Sequence, residues 1–476
     1  MSDIQAVMPI VIVTIAGIVT MVFEAFRQPD ERAPIAGFGV IGTVGAIVAS
    51  VLMWDRDLVG FGVARADNFA LFVNIVVCLV GLLTLLLSSG VIDRFGVAPG
   101  EYYALTLFGV VGMMLMGAAT DLLVIFLALE VMSLSVYVLT GIRRTESAGV
   151  EASFKYFLLG AFSSAFFLYG VAIAYAIAGS TRLDRVAVVM AAQGASNPMV
   201  LLASALLLIG FAFKVSAVPF HMWTPDAYEG APTLVTGFMS TGVKAAAFAA
   251  FVRVFLTSFG ASYAIWAPAL SVIAVATMVV GTVVGVAQPN VKRMLAYSSI
   301  AHAGYLLIGL IAATNVGKAA ILFYLLSYAV TNVGAFGVMA LLSTEERPYE
   351  ELKDFGGLWH TRPGMAALMT VFLLSLGGVP PLAGFVGKWY VFAAAIERGD
   401  YWLAIIGVLT SVISVFYYLR VVVSMYMTDA KAERPLPLVP ATAAAGLALA
   451  LASVFYLGLV PARIIELAAK SIQTIS

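Results

Sequence analysis

The chain has 476 residues, 62% of them hydrophobic and 11% charged, where a soluble domain carries roughly 45–50% and about 25%. Its 26 basic and 26 acidic residues cannot clothe a soluble body of this size, and a net charge of zero excludes a polybasic nucleic-acid binder. The single cysteine, Cys78, excludes an internal disulfide and a cysteine-held zinc or iron–sulfur centre.

A helix crosses hydrocarbon in about 20 residues. In chain order, spans are predicted at 4–23, 34–54, 68–89, 102–119, 122–140, 152–178 and 198–218. They continue at 232–255, 266–287, 291–313, 318–342, 363–397, 401–426 and 438–460, making an all-α, polytopic membrane protein of about fourteen spans. Only Thr120 and Asp121 separate the fourth from the fifth, so thirteen is the alternative count. Residues 1–5 carry no basic region, and no small-residue cleavage pattern follows, so the first segment reads as a retained span. Setting aside Lys155, Lys214, Lys244, Lys388 and Arg420 as lying within spans, the odd-numbered connections hold twelve of the basic residues: Arg27, Arg32, Arg94, Arg143, Arg144, Lys292, Arg293, Arg347, Lys353, Arg362, Lys431 and Arg434. The other side holds nine, a bias that puts both termini on the outer face of the membrane. Glycine sets such as Gly39, Gly42 and Gly45, or Gly281 and Gly285, suit close helix packing.

A charge deep in an apolar segment costs about 2.5–3.5 kcal/mol unless it finds a partner or water. Glu130 lies near the middle of the fifth span, Lys214 in the seventh, Lys244 in the eighth, His302 in the tenth and Lys388 in the twelfth. Glu130 with Lys214 reads equally as a buried pair fixing two helices. Three lysines against one deep carboxylate change that balance: two of them must sit near water, take weaker polar partners or spend time neutral. Such a row hands protons along while its charges bias one another. His302 alone is as well explained as a hydrogen-bonded core residue.

Two spans are interrupted. Pro219, Pro225 and Pro232 cannot all sit in one regular helix, and Gly377, Gly378, Pro380 and Pro381 break the twelfth span midway. Broken backbone at membrane depth persists only where protein or a wet cavity satisfies it. The breaks are five spans apart, the spacing of two five-helix repeats, which in transporters are commonly inverted. This divides the chain into a three-helix segment (1–101), a first repeat (102–258), a second repeat (259–428), and a last span with an amphipathic tail (429–476). The tail, 462–475, lies along the interface or against a neighbour. His221, Asp226 and Glu229 in the first break read as caps and a hydrated vestibule rather than a metal set, with no second histidine or cysteine nearby. Arg420 reads as snorkelling to the interface, and Lys155 as an i,i+4 partner of Glu151.

Three stretches in order, FKVSAVPFHMWTPDAYEGAPT (213–233), KRMLAYSSIAHAGY (292–305) and GVPPLAGFVGK (378–388), resemble the antiporter-like membrane subunits of respiratory complex I, the NADH-quinone oxidoreductase. The resemblance covers nearly the whole chain. Lysine rather than glutamate on the twelfth span separates it from the chain M type, and the short stretch after residue 460 from the chain L type. The resemblance implies a fourteen-helix membrane-arm subunit of a bacterial inner membrane, with two inverted five-helix repeats. Glu130 matches the family's carboxylate on the fifth span, Lys214 its partner, Lys244 the central lysine, Lys388 the terminal lysine, and His302 a histidine between the last two. It further implies other membrane-arm subunits as partners. NAD, flavin, iron–sulfur clusters and quinone belong to partner subunits, with no cofactor or metal in this chain.

The mechanism expected is protonation of Lys244, aided by movement of Glu130 relative to Lys214, then transfer through waters near His302 to Lys388. The nearest rival is a large subunit of a multi-subunit sodium/proton antiporter, which shares these positions. A purely structural or quinone-channel subunit, its charges only locking helices, is the rival of another class.

Overall fold

The computed structural model describes residues 2–26, 35–194, 196–344, 348–429 and 437–475. Met1, Arg27, Arg32, Pro34, Arg347, Lys431, Arg434 and Ser476, which enter the readings above, lie outside the described residues. After a short helical segment at Ser2–Ala6 come α1 (Met8–Phe26) and α2 (Ala36–Leu52), then a hairpin of β1 (Leu58–Gly60) and β2 (Ala64–Ala66), paired antiparallel with Val59 opposite Arg65. This hairpin, the one sheet among the described residues, departs from the all-α expectation. There follow α3 (Asn68–Ser88), α4 (Pro99–Ala118), α5 (Leu122–Thr140), α6 (Ser147–Ala178), a short α7 (Leu183–Gln193), α8 (Pro198–Lys214) and α9 (Trp223–Gly230). Next, α10 (Thr233–Ser258) contains two π-helical turns, Met239–Val243 and Val254–Ser258. The rest are α11 (Tyr263–Val286), α12 (Val291–Ala312), α13 (Asn315–Leu342), α14 (Pro363–Gly377), α15 (Ala383–Arg398), α16 (Tyr401–Met427), α17 (Ala441–Leu459) and α18 (Ala462–Gln473).

Among the described residues, eleven helices are long and apolar enough to cross a membrane, and three shorter apolar ones, α2, α8 and α14, stand where the remaining predicted spans fall. Asp121 separates the fourth and fifth spans: its carboxylate caps α5 by accepting from Leu123 N (2.8 Å) and Val124 N (3.3 Å). Without that cap the two apolar runs would read as one. The seventh span stops as a helix at Lys214, and the twelfth is two helices.

Burial sorts the helices by role. α13 is wholly enclosed and α10 and α12 nearly so, whereas α1, α6, α11, α16 and α17 keep apolar faces outward, as a lipid-facing shell requires. Small residues allow the close approaches: a Cβ on Gly42 would collide with the Ala16 methyl, and one on Gly281 with the α12 backbone at Ala301. The tail helix α18 packs on α3 and α13 of its own chain, and Thr474 accepts from Phe69 N at 3.3 Å.

Two parts of the chain repeat one hydrogen-bonding pattern. Leu122 N donates to Thr181 O and Leu183 N to Thr120 O, both at 2.9 Å. Val291 N donates to Glu350 O (2.6 Å) and Leu352 N to Pro289 O (3.0 Å). In each case the side chain before the pairing helix, Asp121 or Asn290, caps it, and the two bridged pairs, Asp121 with Arg182 and Asn290 with Glu351, are equally spaced along the chain.

Candidate functional site

Lys214, Lys244, His302 and Lys388 are each at most 4% exposed, so neither lipid nor bulk water solvates them. Lys214 closes α8 and donates to Ser133 Oγ (2.8 Å) and Tyr137 Oη (3.1 Å) of α5. Glu130, one turn before Ser133, is partly exposed and accepts from Ser164 Oγ of α6 at 2.5 Å. The expected Glu130–Lys214 ion pair is not formed: α5 supports both groups, but each takes a hydroxyl partner. The Tyr137 ring sits edge-on to Tyr156 (4.6 Å), which stacks on Trp223 (4.2 Å, 2°), and Trp223 Nε1 donates to Phe213 O (3.0 Å). This stack braces the first break. It satisfies a carbonyl there that regular helix would otherwise have used.

Lys244 follows the first π-helical turn of α10 and donates to Ser299 of α12, at Oγ (2.5 Å) and at the carbonyl oxygen. The Tyr328 ring lies 5.5 Å from its Nζ. Tyr328 Oη in turn accepts from Asn332 Nδ2 (3.0 Å), which is also 2.8 Å from Ser240 Oγ. His302, one turn beyond Ser298 on α12, contacts Tyr324 Oη through Nδ1 (2.6 Å) and Tyr418 Oη through Nε2 (3.2 Å). Lys388 sits after the second break yet reaches back across it, donating to Gly377 O (3.1 Å) at the end of α14 and to Ser411 Oγ of α16 (2.8 Å). A helix C-terminus carries partial negative charge, which suits a cation. None of the three lysines has a carboxylate within ion-pair distance.

The structure thus gathers the second half, Lys244, His302 and Lys388, around α12 and leaves Glu130 on the flank by α6. It also adds buried charges that the sequence reading assigned to connections. Arg253 is inside α10, bidentate to Asp67 at 2.8 and 2.9 Å with a third bond to Gly117 O. Lys292 is buried between Glu350 (2.8 Å) and Ala231 O (2.7 Å). Arg253 was legible, since it ends an apolar run nine residues after Lys244. The polar partners were missed, although Tyr324, Tyr328 and Asn332 recur every four residues, one helical face.

Asp226 and Glu229 face basic residues. Asp226 pairs with Arg293 (3.1 Å) and Lys155 (3.2 Å), and Glu229 with Arg293. Lys155 also holds Glu151 at 2.8 Å, as its spacing predicts. Beside them opens a cavity of about 440 Å³, lined by Arg143, Glu146, Glu229, Lys292 and Glu350 among others. Arg420 donates to Val286 O (3.0 Å), the last carbonyl of α11, and to Gln288 O just beyond it, so it caps a helix end rather than snorkelling.

Residues 119–414 match the family described as NADH:quinone oxidoreductase/Mrp antiporter, TM. NADH-quinone oxidoreductase subunit N of Trichlorobacter lovleyi is 46% identical over 475 residues, covering 99% of this chain and 98% of that one. A chain of respiratory complex I from Thermus thermophilus superposes with a TM-score of 0.82 at 34% identity, covering 97% and 99%. A chain of the Mrp complex from Dietzia gives 0.87 at 21% identity, covering 100% and 97%, a likeness of fold. Sequence identity over the full length and the matched family agree: the chain belongs to the subunit N family of the NADH-quinone oxidoreductases.

Proposed function

We propose that this chain is the proton-translocating subunit N of the membrane arm of a bacterial NADH-quinone oxidoreductase, a non-redox part of that translocase. Protons pass through Glu130, Lys214, Lys244, His302 and Lys388 while quinone reduction proceeds in other subunits. NAD, flavin, iron–sulfur clusters and quinone reside in those partners. One observation carries the reading: three buried lysines held by hydroxyls and carbonyls, with no carboxylate to neutralise them. A purely structural buried cation is paired, as Arg253 is with Asp67, because removing a charge from water without a counter-charge is costly. Unpaired lysines on weak partners are suited to changing charge in a working cycle.

In the cycle proposed, Lys244 takes a proton from the side of the cavity lined by Lys292 and Glu350, the cytoplasmic side if both termini are periplasmic. Glu130 leaves Ser164 toward Lys214, changing the field at Lys244. A like charge nearby disfavours protonation, so the proton moves on past His302 to Lys388 and is released. Residues 102–258 and 259–428 form the two inverted repeats. The bridged connections at Asp121 and Asn290 support that division, because one follows an even number of spans and the other an odd number.

The test is reconstitution of the purified assembly in liposomes. The reading expects proton movement that starts on addition of NADH and quinone and needs no sodium. Exchange of sodium for protons without an electron donor would assign the chain to a cation antiporter instead.

A further inference from the structure

We propose that Tyr418 is the proton-transfer junction between the central and terminal lysines, continued along one face of α16 by Ser414 and Ser411. The inference rests on the relay reading above and adds residues to it. Ser298 and Ser299 are neighbours on α12, and successive helical residues point about 100° apart. Ser299 faces α10 and holds Lys244, whereas Ser298 faces α16, its Oγ 2.5 Å from Tyr418 Oη. His302 lies one turn beyond Ser298 on the same face, 3.2 Å from the same hydroxyl. Tyr418 therefore bridges two rungs of α12 with one oxygen. Ser411, Ser414 and Tyr418 recur at i, i+3 and i+7, a single stripe of α16. Ser414 Oγ donates to Ser411 O (2.6 Å), and Ser411 Oγ receives Lys388 (2.8 Å).

A second observation marks the same place. The hydroxyls of Tyr305, Tyr417 and Thr282 are buried without a protein hydrogen bond. The Tyr305 ring lies 5.3 Å from Lys388 Nζ, and the Tyr417 ring 4.5 Å from that of Tyr418. Buried polar atoms are satisfied by protein or by ordered water, so these three supply the partners for water along the stripe.

The transfer balances at every atom. Before it, Ser298 donates to Tyr418 Oη, Tyr418 donates to His302 Nε2, and Nδ1–H donates to Tyr324 Oη. A proton arriving at Ser298 shifts the first two hydrogens one place. Nε2 gains the Tyr418 proton and Tyr418 gains that of Ser298, leaving an imidazolium whose Nδ1–H still faces Tyr324 Oη. Nε2–H then returns a proton to Tyr418 as Tyr418 donates to water held at Tyr417 and Ser414. With Lys388 neutral and its Nζ accepting from Ser411 Oγ, that water passes one proton to Ser411 and Ser411 passes its own to Lys388, so one proton enters at Ser298, one is gained at Lys388, and no heavy atom changes its bonding.

Tyr418→Phe removes one oxygen and keeps the ring that packs on Tyr417. The assembled oxidoreductase carrying Tyr418→Phe, Ser298→Ala, Lys388→Ala, or Tyr418→Phe with Lys388→Ala is reconstituted, and protons moved per electron are measured. The junction predicts that Tyr418→Phe lowers the ratio to that of Lys388→Ala and that the double variant falls no further. A normal ratio in Tyr418→Phe beside a lowered one in Lys388→Ala would make the tyrosine a brace and overturn the junction while leaving the relay. A normal ratio in Lys388→Ala itself would overturn the relay, and the junction with it. Should Tyr418→Phe fail to assemble, Ser298→Ala decides by the same comparison, a lowered ratio supporting the junction and a normal one overturning it.

Discussion

At the scale of single residues, the chain treats its buried cations in two ways. Arg253 and Lys292 have carboxylates, whereas Lys214, Lys244 and Lys388 have only hydroxyls and carbonyls. The first kind is structural, and its removal has a predictable cost. Arg253→Leu strands Asp67 at zero exposure, and leaving one buried charge unpaired costs about 3–5 kcal/mol. The variant is expected to show a lower thermal unfolding midpoint in detergent. Adding Asp67→Asn, which removes the charge but keeps an acceptor for Ala70 N, is expected to recover most of that loss; no recovery would mean that Arg253 acts through packing on Phe69 instead. Residue identities of this sort were largely legible beforehand, because a charge inside an apolar run announces itself. Partners were not legible. Glu130 and Lys214 read as a pair, but three-dimensional packing gives Glu130 to Ser164 and Lys214 to Ser133 and Tyr137.

At the scale of elements, two broken helices carry lysines on opposite sides of their breaks. Lys214 ends the helix before its break, and Lys388 bends back over its own to the last carbonyl of α14. Gly378 makes that return possible. Its φ is +85°, a region that costs an L-residue about 1–2 kcal/mol, and a Cβ there would lie 3.0 Å from Lys388 Cδ. Gly378→Ala is therefore expected to push Lys388 off Gly377 O and to lower proton translocation more than assembly. Translocation at the normal ratio in a normally assembled complex would show that this carbonyl is not needed. Proline and glycine spacing marked both breaks, since each removes a helical hydrogen bond or favours a left-handed turn whatever the tertiary context. The same reasoning missed the hairpin at 58–66, three residues per strand with no strong alternation, and both π-helical turns of α10. A π-helical turn is a register change forced by neighbours, and Lys244 follows one directly.

At the scale of the molecule, the net charge of zero conceals an uneven distribution. Ion pairs among the described residues lie mostly near the connections, as at Asp226, Glu229, Lys155 and Arg293, while Lys244 and Lys388, in the enclosed interior around α12, have no carboxylate beside them. The bridge of Asp121 with Arg182 recurs at Asn290 with Glu351, as the proposed division into two repeats expects. The places of the apolar helices along the chain were readable from hydropathy, which depends only on each segment's own sequence. The gathering of Lys244, His302 and Lys388 around α12 depends on helix packing, and periodicity along one helix says nothing about its neighbours. The account's central claim is that these lysines carry protons rather than lock helices. Its most direct test is the number of protons moved per electron by the reconstituted complex with Lys244→Ala. The account predicts an assembled complex that oxidises NADH and moves fewer protons per electron than the wild type, and an unchanged ratio would contradict it.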